Sequence, residues 1–139
     1  MISADNFVQK VKKYYSFLVD EFDFKLSDEK IRGNVFYEIH YKDPSRIVSI
    51  SYENIEEYML VIVYLLENGL LPDYDDKRKT LHISALTRVI LPRLEKAEIS
   101  QNRDFFSHFA VNNDIERRLL KLASELRLCL KHFGLIVLE

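Results

Sequence analysis

A single cysteine, Cys129, leaves no partner for an internal disulfide and no multi-cysteine zinc site, and it fits a reducing compartment. Glycine is almost as scarce. Gly33, Gly69 and Gly134 stand far apart, so a phosphate-cradling loop or dinucleotide fingerprint is hard to assemble, and no nucleophile elbow or H-E-x-x-H helix is present. With three prolines and no Gly-, Pro- or Ser-rich stretch, the 139 residues show no linker and no repeat. They read as one domain spanning 1–139, large enough to bury a core without staples. No sign of charge dominates. Twenty Lys and Arg against 22 Asp and Glu give a net charge of −2, without the basic excess of a nucleic-acid scaffold. The longest apolar run, residues 58–66, is too short for a membrane-spanning helix, and residues 1–6 lack a basic and then apolar leader. The expectation is a cytoplasmic protein with no membrane contact. The four histidines, His40, His82, His108 and His132, never fall three or four apart, so neither a metal nor a cofactor is expected.

What is present is alternation. Residues 35–42 and 45–53 are apolar at every second position on either side of Asp43-Pro44. That pattern is a β-hairpin with one dry and one wet face, and Pro44 presets the backbone of its turn. With Asp43 and Arg46 flanking the turn, Tyr41 faces Val48, Ile39 faces Ile50 and Tyr37 faces Tyr52. On the other face Lys42 meets Ile47, His40 meets Ser49 and Glu38 meets Ser51. A slip of one residue would set Tyr and Ile against Ser on every rung. The alternation also predicts that Ile50→Asp unfolds the chain and that Ser49→Asp is tolerated.

Around the hairpin, residues 5–20 read as a helix with Phe7, Val11, Tyr14 and Leu18 on one stripe and Ser3 as N-cap. Residues 22–26 read as a short strand and 27–30 as a turn. The β-branched run 58–66 reads as a strand rather than a short buried helix, covered on both sides or reaching a partner, which makes a four-stranded antiparallel meander. Residues 68–79 read as a polar loop whose acids, Asp73, Asp75 and Asp76, precede its bases, Lys77, Arg78 and Lys79. A helix beginning at Leu81 or Ala85 ends at Pro92; 95–103 reads as irregular and 104–110 as a short helix. The last helix has Asn113 and Glu116 at capping-box spacing, with Ile115, Leu119, Leu122, Leu126, Cys129 and Phe133 on one stripe and Gly134 at its C-terminal cap. The fold class is therefore α+β: an N-terminal helix, the meander, and a helical C-terminal half packed on the face of Tyr37, Ile39, Tyr41, Val48, Ile50 and Tyr52.

The wet hairpin face holds the candidate binding residues. Glu38, His40, Lys42, Ser49, Ser51 and Glu53 form a polar set, with Phe36 and Ile47 as apolar anchors among them. Apolar anchors within a polar rim are the usual make-up of a protein interface; the other readings are a plain solvated face, and cover of both anchors by the 68–79 loop or part of the helical half. Glu38, His40 and Ser49 have the residue types of a hydrolytic triad, but residues two apart on a strand lie about 6.5–7 Å from each other, and no oxyanion-hole loop is evident. Cys129, on an apolar stripe, reads as a buried structural thiol. No catalytic residues are assigned.

The order of helix, residues 14–18 running into 22–24, then 36–41 and 47–52, resembles small immunity proteins of bacterial polymorphic toxin systems and related bacterial α+β proteins. The resemblance implies a non-enzymatic inhibitor that binds one toxin-like protein partner. The other reading is a small enzyme or ligand-binding protein with its site between the sheet and the C-terminal helices. The sequence carries no indication of oligomeric state.

Overall fold

A computed structural model describes residues 1–136 of the chain. Helix α1 (Ala4–Tyr14) starts as expected, with the Ser3 side chain accepting the Asn6 N–H. It stops six residues earlier than the sequence implies, and a short α2 (Phe17–Asp20) follows a kink at Tyr15-Ser16. The cause is the aromatic run. Tyr14, Tyr15, Phe17 and Leu18 are all fully or almost fully buried, an arc of about 160° on a straight helix and wider than the usual apolar stripe of about 100°. Both tyrosines find acceptors on the C-terminal half: Tyr14 donates to Ala110 O (2.8 Å) and Tyr15 to Leu119 O (3.0 Å).

The sheet is an antiparallel meander in the order β1-β2-β3-β4-β5: β1 Lys25–Arg32, β2 Phe36–Lys42, β3 Arg46–Glu53, β4 Tyr58–Leu65 and β5 Thr80–His82. The central pairing has the register that the alternation dictates, rung for rung from Tyr41↔Val48 to Tyr37↔Tyr52. The turn is locked by Asp43, whose Oδ1 accepts the N–H groups of Ser45 and Arg46 and whose Oδ2 takes the Arg46 guanidinium at 2.9 and 3.1 Å. That guanidinium lies 5.1 Å from the rings of both Phe24 and Phe133, tying the turn to both ends of the chain.

Two strand readings change. Residues 27–30 are strand, the middle of β1, and not a turn; the strand begins at Lys25 and not at Phe22. Every β1 residue is exposed, so no burial pattern marks it, and its charges suit an edge that must resist pairing. A fifth strand, β5, joins the four expected ones. Three residues are too few to show a period.

Helix α3 (Ile83–Ile90) leads into a 3-10 turn over Leu91–Arg93 that contains Pro92. Helix α4 (Lys96–Phe106) replaces both the irregular 95–103 and the short helix at 104–110. Its buried positions are Asn102 and Phe106, so the face it docks is half polar. Asn102 donates to the Ser124 carbonyl and hydroxyl and accepts from Arg127 at 2.8 Å. Helix α5 (Asp114–Lys131) carries the expected cap: Asn113 Oδ1 accepts the Glu116 N–H at 2.9 Å. Glu116 reaches back to the Asn112 N–H, one residue before the usual partner. Gly134 does not cap this helix in a left-handed conformation; it lies within a 3-10 turn, Phe133–Leu135.

One core joins these parts. All five helices contribute to it, and the dry sheet face closes it with Tyr37, Ile39, Tyr41, Val48, Ile50, Tyr52, Val61 and Val63. Cys129 is buried in it as expected. The interior is rich in acidic hydroxyl and thiol groups held neutral. Burial pushes Tyr15 well above its usual value, and pushes Tyr41 and Cys129 up to about 12. Above about pH 9–10 the unfolded chain loses these protons first, so stability falls as pH rises towards the folded values. A melting temperature level to about pH 9 and falling steeply by pH 11 is expected. A flat profile through pH 11 would contradict this burial.

Candidate functional site

The face of the sheet opposite the helices is the candidate site. Strand register arranges it as rows. From one end these are Arg32, Phe36, Glu53 and Tyr58; then Lys30, Glu38, Ser51 and Leu60; then Asp28, His40, Ser49, Ile62 and His82; then Lys42, Ile47, Tyr64 and Thr80. Ser49 and Ser51 of the central strand lie between Phe36, Glu38 and His40 of β2 and Tyr58, Leu60, Ile62 and Tyr64 of β4.

The face is less wet than its alternation implies. Ser49 is 2% exposed, His40 7% and Ile47 8%, whereas Phe36, Glu38 and Glu53 are half-buried and Lys42 is exposed. Ile47 therefore has little surface to offer a partner. Cover at the β4–β5 corner comes from the loop after β4. Its Asp73 carbonyl accepts the Thr80 hydroxyl at 3.1 Å, and the Tyr74 ring stands edge-on to His82 at 5.9 Å. Outside that corner lies a cleft of about 500 Å³ lined mainly by Tyr74, Thr80, Leu81, His82 and Ala85.

Glu38 is the polar centre. Its Oε2 accepts from the Ser49 hydroxyl at 2.8 Å and lies 2.9 Å from His40 Nε2. The His40 bond is the main reason the carboxyl falls below its usual range, with Ser49 adding to it against the cost of burial. Burial first, and then the Glu38 charge, raise the Tyr64 phenol on β4. In a hydrolytic triad the imidazole stands between hydroxyl and carboxylate and takes the hydroxyl proton. Here the carboxylate stands between the other two, and a carboxylate of lowered pKa is a weak base. The arrangement holds a negative charge in place. It has no relay to move a proton.

Glu53 serves the fold as well, accepting the N–H groups of Ile55 (2.8 Å) and Glu56 (3.1 Å) in the β3–β4 turn. The adjoining Asn54, buried and unremarked in the sequence, ties the sheet end together. Its side-chain amide bonds Ile2 O, Asn34 O and the Tyr37 hydroxyl, and its backbone N–H bonds Val35 O at 2.8 Å. This brings two turns side by side and leaves Val35, Ile55 and Tyr58 exposed next to Phe36. The space between sheet and helices, the place of the enzyme or ligand-binding reading, is filled by fully buried side chains such as Phe7, Tyr37, Tyr52, Leu119 and Leu126.

Among the described residues no group of three or more His, Cys, Asp or Glu is placed to hold a metal ion, and no helix is long and apolar enough to cross a membrane. The fold and the face define an α+β protein with one open sheet surface. No family model, curated protein or solved structure matches the chain.

Proposed function

We propose that this chain is a non-catalytic protein-binding module that meets its partner through the open sheet face and the adjoining turns. The observation that carries the reading is the exposed apolar group at one end of that face. Val35, Ile55 and Tyr58 are 47%, 77% and 59% exposed and flank the half-buried Phe36. Contiguous exposed apolar and aromatic side chains rimmed by polar groups are what interfaces use, and isolated ones are not. The resemblance to immunity proteins supplies the kind of partner, a toxin domain covered by this surface in a bacterial cytosol.

The test is affinity capture from the native cell with mass spectrometry, using the unaltered full chain and three variants of it. Tyr58→Ala and Leu60→Asp alter the open face; Val89→Asp alters an exposed apolar residue on α3. The expected result is one partner shared by the unaltered chain and Val89→Asp, and lost from both open-face variants at unchanged melting temperature. Retention by all three would place the interface elsewhere.

A further inference from the structure

We propose that the cleft between α4 and α5 binds a phosphate monoester carried on a small apolar body. The cleft lies on the helical side of the molecule, away from the open sheet face, so the inference is independent of the binding reading above.

The cleft holds about 350 Å³, near the lower end of the range for small-molecule sites. Its charge is one-sided. Arg103 beside Phe106 on α4, and Arg117 and Lys121 on α5, line it against a single acid, Glu125. Arg117 and Lys121 stand four residues apart on one helix, a spacing at which like charges repel. No described residue forms an ion pair or hydrogen bond with Arg103 or Lys121. Arg117 only shares the exposed Asp114 with Arg118, at 3.7 and 3.5 Å. The chain as a whole carries a net charge of −2, so this gathering of cations is a local feature and not a general excess. An anion in the cleft would offset their repulsion.

A neutral donor completes the set. Arg127 donates to Asn102 Oδ1 at 2.8 Å, and Asn102 Nδ2 donates to the Ser124 hydroxyl at 2.9 Å. That hydroxyl lines the cleft and donates to no described residue. Each bond polarises the next, so the buried guanidinium strengthens Ser124 as a donor. Phe106, buried, and Leu120, half-buried, supply an apolar wall. Such a wall gives nothing to a bare hydrated ion and suits a ring or short chain behind the anionic group. Three cations less one carboxylate leave two positive charges in excess, which a dianionic phosphate balances and a carboxylate only halves. Guanidinium groups also meet phosphate through two parallel hydrogen bonds. Glu125 opposes the ligand. It is half-buried, and burial raises its carboxyl against the pull of Lys121.

The experiment is a titration of the isotope-labelled full chain, followed by backbone amide shifts at fixed ionic strength. It is run at about pH 7.5, where a phosphate monoester is mostly dianionic. The probes are phenyl phosphate, inorganic phosphate, benzoate and benzyl alcohol. Phenyl phosphate should give saturable shifts confined to residues 103–107 and 117–125. Inorganic phosphate, without the ring, and benzoate, with one charge fewer, should each bind roughly tenfold or more weakly, and benzyl alcohol should not saturate. Arg103→Gln and Lys121→Gln should each lose roughly tenfold for phenyl phosphate, and Glu125→Gln should bind it more tightly. Lys13→Gln, an exposed cation on α1, should change nothing. Inorganic phosphate binding as tightly as phenyl phosphate would show an adventitious ion only. Benzyl alcohol binding as tightly would show an apolar surface only. Either result overturns the proposal, as would no saturation by millimolar phenyl phosphate, indifference to Lys121→Gln, weaker binding by Glu125→Gln, or an equal loss from Lys13→Gln.

Discussion

Ile50→Asp should abolish cooperative folding, Ser49→Asp should weaken the fold in a pH-dependent way, and Lys42→Asp should leave it nearly unchanged. Ile50 is fully buried at the centre of the dry face, on the rung with Ile39 and Val61. A carboxylate there has no described donor to meet it, and burying one unpaired costs several kcal/mol, against a typical domain stability of about 5–15 kcal/mol. Ser49 points to the other face, which is why the alternation presents it as tolerant. Its hydroxyl, however, lies 2.8 Å from Glu38 Oε2 and is shut off from water, so aspartate would set two carboxylates together. The cost should be about 1–3 kcal/mol at neutral pH. It should shrink as pH falls towards 5, because a repelled carboxyl binds a proton more tightly when folded and its folded pKa rises. Lys42 is exposed at the strand end, where substitutions stay within about 0.5 kcal/mol. Thermal melts of the three variants at pH 7 and pH 5 decide the matter. Equal melting temperatures for Ile50→Asp and Lys42→Asp would reverse the assignment of faces.

The same contrast explains what was legible in the sequence. The β2–β3 register was readable because period-two burial and the Asp43-Pro44 turn constrain each other, and either alone would have left a slip open. The fate of Ser49 and His40 was not readable. Both are bonded to Glu38 beside them, and alternation reports which face a residue takes, not what else lies on that face. Edge strand β1 was lost because an exposed strand needs no apolar period, and Ser27-Asp28-Glu29-Lys30 has the composition of a turn. The kink at Tyr15 was hidden because Tyr14, Tyr15, Phe17 and Leu18 fit a helical stripe until all four must be buried at once. Of the candidate site, the residues of β2 and β3 were in view. Tyr58, Leu60 and Tyr64 read from the sequence as part of a strand covered on both sides or reaching a partner, with nothing to place them on this face, and Asn54 gives no signal beyond a turn-forming residue.

Helix α4 was missed for a reason that yields the second large effect. Its docking surface is organised by a cation. Arg127, on α5, is buried, donates to both Glu21 oxygens at 2.8 Å and to Asn102 Oδ1 at 2.8 Å, and lies 3.8 Å from the Phe105 ring centre. One side chain thus links the end of α2, helix α4 and helix α5. No apolar stripe announces such a helix, because half of what it buries is polar. Arg127→Ala should cost about 1–3 kcal/mol, the range for leaving a buried acceptor unpaired. Most of that cost falls on Asn102, since Glu21 is about one-third exposed and can turn to water. Glu21→Gln, which keeps an acceptor for the guanidinium, should cost about 1 kcal/mol or less. The two effects also differ in place. With Arg127 gone, amide exchange should accelerate throughout Lys96–Phe106 while β2 and β3 stay protected, because the helix loses its anchor and the sheet keeps its core. The Arg127 hydrogen bond holds the Glu21 carboxyl below its usual range, so this link is intact above the unfolded carboxylate pKa and is lost as pH falls through the folded one. The stability gap between the native chain and Arg127→Ala should therefore narrow in acid. A gap constant down to pH 3, or α4 protection unchanged in Arg127→Ala, would show that Phe106 and its aromatic neighbours hold the helix without the arginine.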